Sequence, residues 1–182
     1  MQRVNRNEPP SCGCIVFVLI IILGCAGYLT IVRIKSQSTP SQPSITEIYG
    51  QGLSADLRQQ VGQLQPLECG DEQCWVYGDP LGLEMVLFHT ASLDTPVSRI
   101  DYFLSAELRD ISLQAPVSFP MYRIVDMIIA VNLAKGSKPE IAHQFQDILG
   151  WIESGYNDRQ QIERVEVELI NSETGLLVTI YP

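Results

Sequence analysis

Twenty-one consecutive residues without a charge, Cys12 to Val32 (CGCIVFVLIIILGCAGYLTIV), constrain this chain more than any other feature. A helix needs about 20 apolar residues to cross the hydrocarbon core of a bilayer, so the run predicts a single transmembrane helix with lipid as its partner. Beyond Lys35 the chain turns polar and acidic. It therefore divides into a tail (1–11), a span (12–32), a juxtamembrane segment and linker (33–44) and one soluble domain (45–182). The linker stretch SQSTPSQPS has two prolines and no apolar side chain, so it cannot support a core.

Eight of the twelve basic residues, but twenty of the twenty-one acidic ones, lie beyond Lys35, giving that portion a net charge of −12. Such a surface repels phosphate polymers and anionic headgroups, which excludes nucleic acid and anionic lipid as principal ligands of the domain. Around the span, Arg3 and Arg6 balance Arg33 and Lys35, so basic residues alone do not orient it. The α-amine and the close pair Cys69 and Cys74 favour a cytoplasmic N-terminus with the domain outside the cell membrane.

The pair stands in ECGDEQCW, at C-x4-C spacing. That is not a thioredoxin-like motif, the flanking acids disfavour a thiolate, and the loop holds no base, so the expectation is an inert structural disulfide. Cys25 closes Ile22-Leu23-Gly24-Cys25, which resembles a lipidation box and makes Cys25 a candidate acylation site. The apolar run continues past it to Val32, which argues for a membrane span instead. Cys12 and Cys14 are juxtamembrane candidates for acylation.

Within the domain, Ser44-x-x-Glu47 and Ser54 mark two short helix starts, the second leading into Leu57, Val61 and Leu64 at helical spacing. Cys74–Tyr77 and Leu83–His89 flank a Gly-Asp-Pro-Leu-Gly turn and predict a hairpin, and Val97–Leu104 predicts another strand. Leu108–Leu113 reads as a further strand or an irregular return. Two helices come next. The first runs Tyr122–Ala134, capped by Ser118 with Pro120 in its opening turn, apolar nearly all round and ended by Gly136. The second opens on a capping box at Ser137–Glu140 and carries the apolar stripe Ile141, Phe145, Ile148, Leu149 and Ile152 up to Gly155. Arg164–Ile170 and Leu176–Tyr181 form a terminal hairpin with Glu166 and Glu168 on its wet face. This order predicts an α+β domain with a mostly antiparallel sheet covered by a helical pair.

On the second helix Glu140, His143, Asp147 and Trp151 recur at i, i+3, i+7 and i+11, a stripe opposite the apolar one and the candidate binding site for a protein partner or small ligand. The plainer reading is a solvated helix face with Trp151 packed against neighbours. A metal there would need a matching Glu-x-x-His helix, and the sequence has none; the other histidine, His89, reads as a strand residue with a local hydrogen-bond partner. Asp126, inside IVDMIIAV, is expected to be paired or at a rim, with Arg123 on the same polar strip. No nucleophile elbow, phosphate loop or dinucleotide fingerprint is present, so no catalytic residue, cofactor or metal is assigned. The expectation is a non-catalytic, single-pass envelope protein with an acidic binding or accessory domain. Its rivals are a tethered hydrolase using Asp126, Asp101 or Asp147, a lipoprotein anchored at Cys25, and a thiol oxidoreductase using Cys69 and Cys74.

Overall fold

The computed structural model describes residues 41–69, 72–114 and 119–182. The expected span, its orientation, the lipidation candidates Cys12, Cys14 and Cys25, and the cap at Ser118 all lie outside those residues. Among the described residues no helix is long and apolar enough to cross a membrane.

Both N-terminal helix starts are present. The Ser44 Oγ accepts the Glu47 N–H at 3.2 Å while Glu47 Oε2 accepts the Ser44 N–H at 2.8 Å, and this reciprocal box opens α1, Ile45–Gln51. Ser54 Oγ accepts the Leu57 N–H at 3.2 Å and opens α2, Ala55–Gln60, which tightens into a 3-10 turn over Val61–Gln63. Each such cap stabilises its helix by about 1 kcal/mol.

Seven antiparallel strands are arranged in two meanders. The first is β1 (Gln65–Cys69), β2 (Glu72–Gly78), β3 (Glu84–His89) and β4 (Arg99–Ser105). The second is β5 (Asp158–Ile162), β6 (Val165–Ser172) and β7 (Gly175–Tyr181). They join into one sheet of order β1-β2-β3-β4-β7-β6-β5, with the seam between β4 and β7. Gly175 sits at that seam opposite Ser105 with φ +149°, and an added Cβ there would come 2.0 Å from the Leu104 carbonyl oxygen. Only glycine fits so close an approach.

Between the meanders the chain forms α3 (Ala106–Gln114), α4 (Phe119–Ala134), a 3-10 turn (Pro139–Gln144) and α5 (Phe145–Glu153). Helix α4 is buried on almost every side, from Met121 through Val131, as its continuous apolar composition predicts. On α5 the stripe of Ile148, Leu149 and Ile152, with Ile141 from the preceding turn, faces the core. Gly136 and Gly155, at φ +76° and +67°, end the two helices as expected.

Three expectations are corrected. Residues 108–113 form the body of α3, not a strand: Ser105 Oγ accepts the Leu108 N–H at 3.2 Å, a cap three residues ahead of a run of good helix formers. Ser137 does not cap the second helix, because its hydroxyl donates back to Asn132 Oδ1 at 3.4 Å and Lys138 takes the capping position with no side-chain bond. The chain then winds as a 3-10 turn through Gln144 before α5 begins at Phe145. Strands β1 and β5 carry no apolar alternation, with exposed residues along most of their length, and are held by backbone pairing at the two sheet edges. The hairpins β2–β3 and β6–β7 and the strand β4 stand where the residue pattern placed them.

Alternation divides the sheet into two faces. Glu84, Val86, Phe88, Ile100, Tyr102, Leu104, Val165, Val167, Leu169, Val178 and Ile180 point into the buried core with the helices. The opposite face holds Met85, Phe103, Leu177 and Ile170 in one cross-strand row, and Cys74, His89 and Arg99 in another.

Candidate functional site

On the helical side, α2, α4 and α5 border an open cavity of about 430 Å3 lined by Leu53, Ser54, Asp56, Tyr122, Arg123, Asp126, Phe145 and Gln146. Pockets that hold small molecules span about 300–1,000 Å3, with mostly apolar walls and a few polar groups. Two rings supply the walls here. The Tyr122 and Phe145 centroids are 5.2 Å apart with the planes tilted by 46°, an arrangement that leaves their faces offset instead of stacked.

Asp126 is 3% exposed and fully committed: its two oxygens accept the Leu53 and Ser54 N–H groups, each at 2.8 Å. The carboxylate thus ties the loop between α1 and α2 to α4. Spacing along the helix pairs it with Arg123; the structure pairs it with backbone, a partner that residue spacing within one helix cannot reveal.

Arg123 turns the other way, donating to Glu84 Oε2 beneath the cavity, while the Tyr102 hydroxyl donates to Glu84 Oε1. Glu84 is 2% exposed, on the core face of β3. Burial pushes its pKa above the ordinary carboxylate value, a shift that the Tyr102 hydrogen bond and the Arg123 charge only partly oppose. The Tyr102 hydroxyl is raised as well, by burial first and by the Glu84 charge second. Tyr49 shares this environment and is raised for the same first reason, with its hydroxyl 3.5 Å from Gln60 Oε1. Glu84 is not among the residues singled out from the sequence. Its position as the first residue of an alternating strand, in phase with Val86 and Phe88, is the signal that would have found it.

The expected stripe is differently distributed. Glu140 and His143 sit on the 3-10 turn, and Asp147 and Trp151 sit on α5. At three residues per turn and then 3.6, the four do not keep a single helical phase. Glu140, His143 and Asp147 are exposed, whereas Trp151 is half-buried and packs against the core. Nor does the fold assemble the carboxylates of the hydrolase reading. Asp126 is closed off by backbone, Asp101 lies on the far face of the sheet, and Asp147 is exposed on α5. Among the described residues no three His, Cys, Asp or Glu side chains are arranged to hold a metal ion.

On the bare face, Cys69 and Cys74 lie at disulfide distance across the β1–β2 hairpin, with Cα atoms 5.8 Å apart. The loop itself holds no base, but the next strand brings one to the pair. His89, directly opposite Cys74, places Nδ1 3.6 Å from Cys74 Sγ, and its Nε2 is 2.8 Å from Asp101 Oδ2. Thr179 donates to the other Asp101 oxygen at 3.0 Å, and Arg99 reaches the same carboxylate at 3.0 Å. His89 is thus a strand residue with a local partner, as its sequence context implied.

Set against protein-family models, curated proteins and solved structures, the chain matches none of them.

Proposed function

We propose that this protein is a single-pass, membrane-anchored binding module, with residues 12–32 in the bilayer, the N-terminus in the cytoplasm and the acidic domain outside, acting as a non-catalytic receptor or accessory subunit of the cell envelope. One observation carries the binding reading: the cavity between α2, α4 and α5 has two aromatic rings in its walls, while Asp126 and Arg123, two of its three charged lining residues, are held by structural partners and the third, Asp56, is exposed at the surface. Groups held so firmly are poor acids, bases or nucleophiles, because each protonation change would break a buried interaction. They are well suited to fix a ligand's orientation. The occupant that fits is a small flat apolar molecule with a hydrogen-bond acceptor, its body against Tyr122 and Phe145 and its acceptor toward the edge of Arg123.

The cavity is preferred to the Glu140, His143, Asp147 and Trp151 surface as the ligand site, because Trp151 already spends part of its ring on core packing. That surface remains available to a protein partner. Neither site calls for a cofactor, and the net charge of the domain speaks against nucleic acid.

The test is ligand-observed NMR with a panel of aromatic carboxylates, on the full-length chain in vesicles that survive carbonate washing. Gln146→Trp, which fills the cavity mouth from an exposed position, is expected to abolish saturable binding. Met85→Trp on the opposite sheet face leaves it intact. Binding that is indifferent to Gln146→Trp removes the cavity from consideration.

A further inference from the structure

We propose that the Cys69–Cys74 bridge is an exchanging disulfide and not an inert staple, with Cys69 as the sulfur attacked, Cys74 as the sulfur released, and His89 as the proton donor to it. The inference does not depend on the helical cavity, which lies on the other side of the sheet.

Three observations on the bare face converge. The two sulfurs are unequally accessible: Cys74 is fully buried and Cys69 is half-exposed, so an incoming thiolate meets Cys69 first. The buried sulfur is the one in contact with an imidazole, at 3.6 Å from Nδ1. That imidazole is held from behind by Asp101, itself fixed by Thr179 and Arg99, so its ring orientation is set by three elements of a rigid sheet. Nε2 faces two groups, Asp101 Oδ2 at 2.8 Å, which accepts from it, and Arg99 Nη2 at 2.9 Å, which can only donate; when both ring nitrogens carry protons, Nε2–H donates to Asp101 and Nδ1–H is left facing the sulfur. The charged or titratable residues that alternate onto this face are Asp101 and Arg99 on β4, Tyr181 on β7, Glu166 and Glu168 on β6, paired with Tyr181 and Thr179, and Arg159 on β5, paired with Glu168. Glu68 alternates to the other side of β1 and does not face the pair.

The exchange balances with a dithiol reductant. A thiolate of the dithiol attacks Cys69 Sγ; the mixed S–S bond forms as the Cys69–Cys74 bond breaks, and the electron pair leaves on Cys74 Sγ. The Nδ1 proton of the His89 imidazolium then neutralises that thiolate. The second thiolate of the dithiol attacks its own partner sulfur in the mixed disulfide and releases Cys69. The dithiol becomes a cyclic disulfide, having lost two electrons and two protons, and the protein gains two thiols, with Cys74 protonated by way of His89. Rates of such exchange depend on how well the leaving sulfur is stabilised, which is what the imidazole supplies. His89 is the catalytic residue of this step and Asp101 a positioning residue.

The experiment is the rate of reduction by dithiothreitol, followed in the folded full-length chain and again in denaturant. Folded wild type is expected to be reduced at least as fast as the denatured chain, and His89→Asn to slow only the folded rate, by roughly tenfold. Asp101→Ala slows the folded rate and Asp101→Asn, whose amide oxygen can still accept the Nε2 proton, restores part of it; neither changes the denatured rate. Trapping with cysteamine, which needs no variant, places the mixed disulfide on Cys69. A folded bridge slower than the denatured one and indifferent to His89→Asn, or an adduct on Cys74, overturns the proposal.

Discussion

The two faces of one sheet handle polar groups in opposite ways. On the helix-covered face, Glu84 is 2% exposed and is held by the Tyr102 hydroxyl and the Arg123 guanidinium. On the bare face, His89 and Asp101 form a comparable carboxylate-centred cluster, yet their side chains keep 11% and 18% of their exposure and Arg99 keeps 45%. A buried charge network specifies a fold and resists change, because removing one member strands the others. The difference teaches that a carboxylate-centred cluster can be sealed into the core on one side of a strand and left at the edge of water on the other.

The largest expected effect probes whether the faces differ in packing. Phe88→Ala, fully buried against Tyr49, is expected to destabilise the domain by about 3–5 kcal/mol, while the adjacent Leu87→Ala, on the bare face, costs less than about 1.5 kcal/mol. Chemical denaturation measures both, and similar losses would break the comparison.

Next in size is Arg123→Met, which leaves the Glu84 carboxylate buried without its cation and is expected to cost about 3 kcal/mol or more. Adding Glu84→Gln to that variant should recover a large part of the loss in the same denaturation experiment. Additive losses would mean that the two side chains are not coupled.

The smallest effect is in pH dependence. Because the folded-state pKa of Glu84 is raised above its ordinary 4.5, the folded protein holds that proton more tightly than the unfolded chain. The stability it contributes is fully present below the ordinary value and is lost as pH rises toward the folded one. The melting-temperature difference between wild type and Glu84→Gln should therefore shrink as pH climbs through the mildly acidic range. A difference that is constant with pH would show that Glu84 is not proton-linked to folding.

Much of the architecture was legible in the residues, and the limits have physical causes. Strands β3, β4 and β6 alternate because one side of each is buried, β7 is apolar on both sides at the centre of the sheet, and α4 is uniformly apolar because it is buried on nearly all sides. Strands β1 and β5 left no such mark, since an edge strand is held by backbone pairing whatever its side chains. The Ser137 box was written in the sequence but lost to competition, because Asn132 offered that hydroxyl another acceptor. Of the two polar clusters, neither was read in advance. Counting outward from Gly78 and Gly82 would have paired Cys74 with Val86; the observed register instead sets Gly78 against Met85, which brings His89 opposite Cys74. The cavity was harder to foresee, because its lining comes from helices whose packing no local pattern encodes.

Pro66 stands in the outermost strand of the first meander, opposite Trp75. Proline has no amide hydrogen to offer an arriving strand. A second copy of the sheet docking edge to edge would meet an interrupted ladder there, so growth into fibrils is discouraged from that side before any charge repulsion is felt.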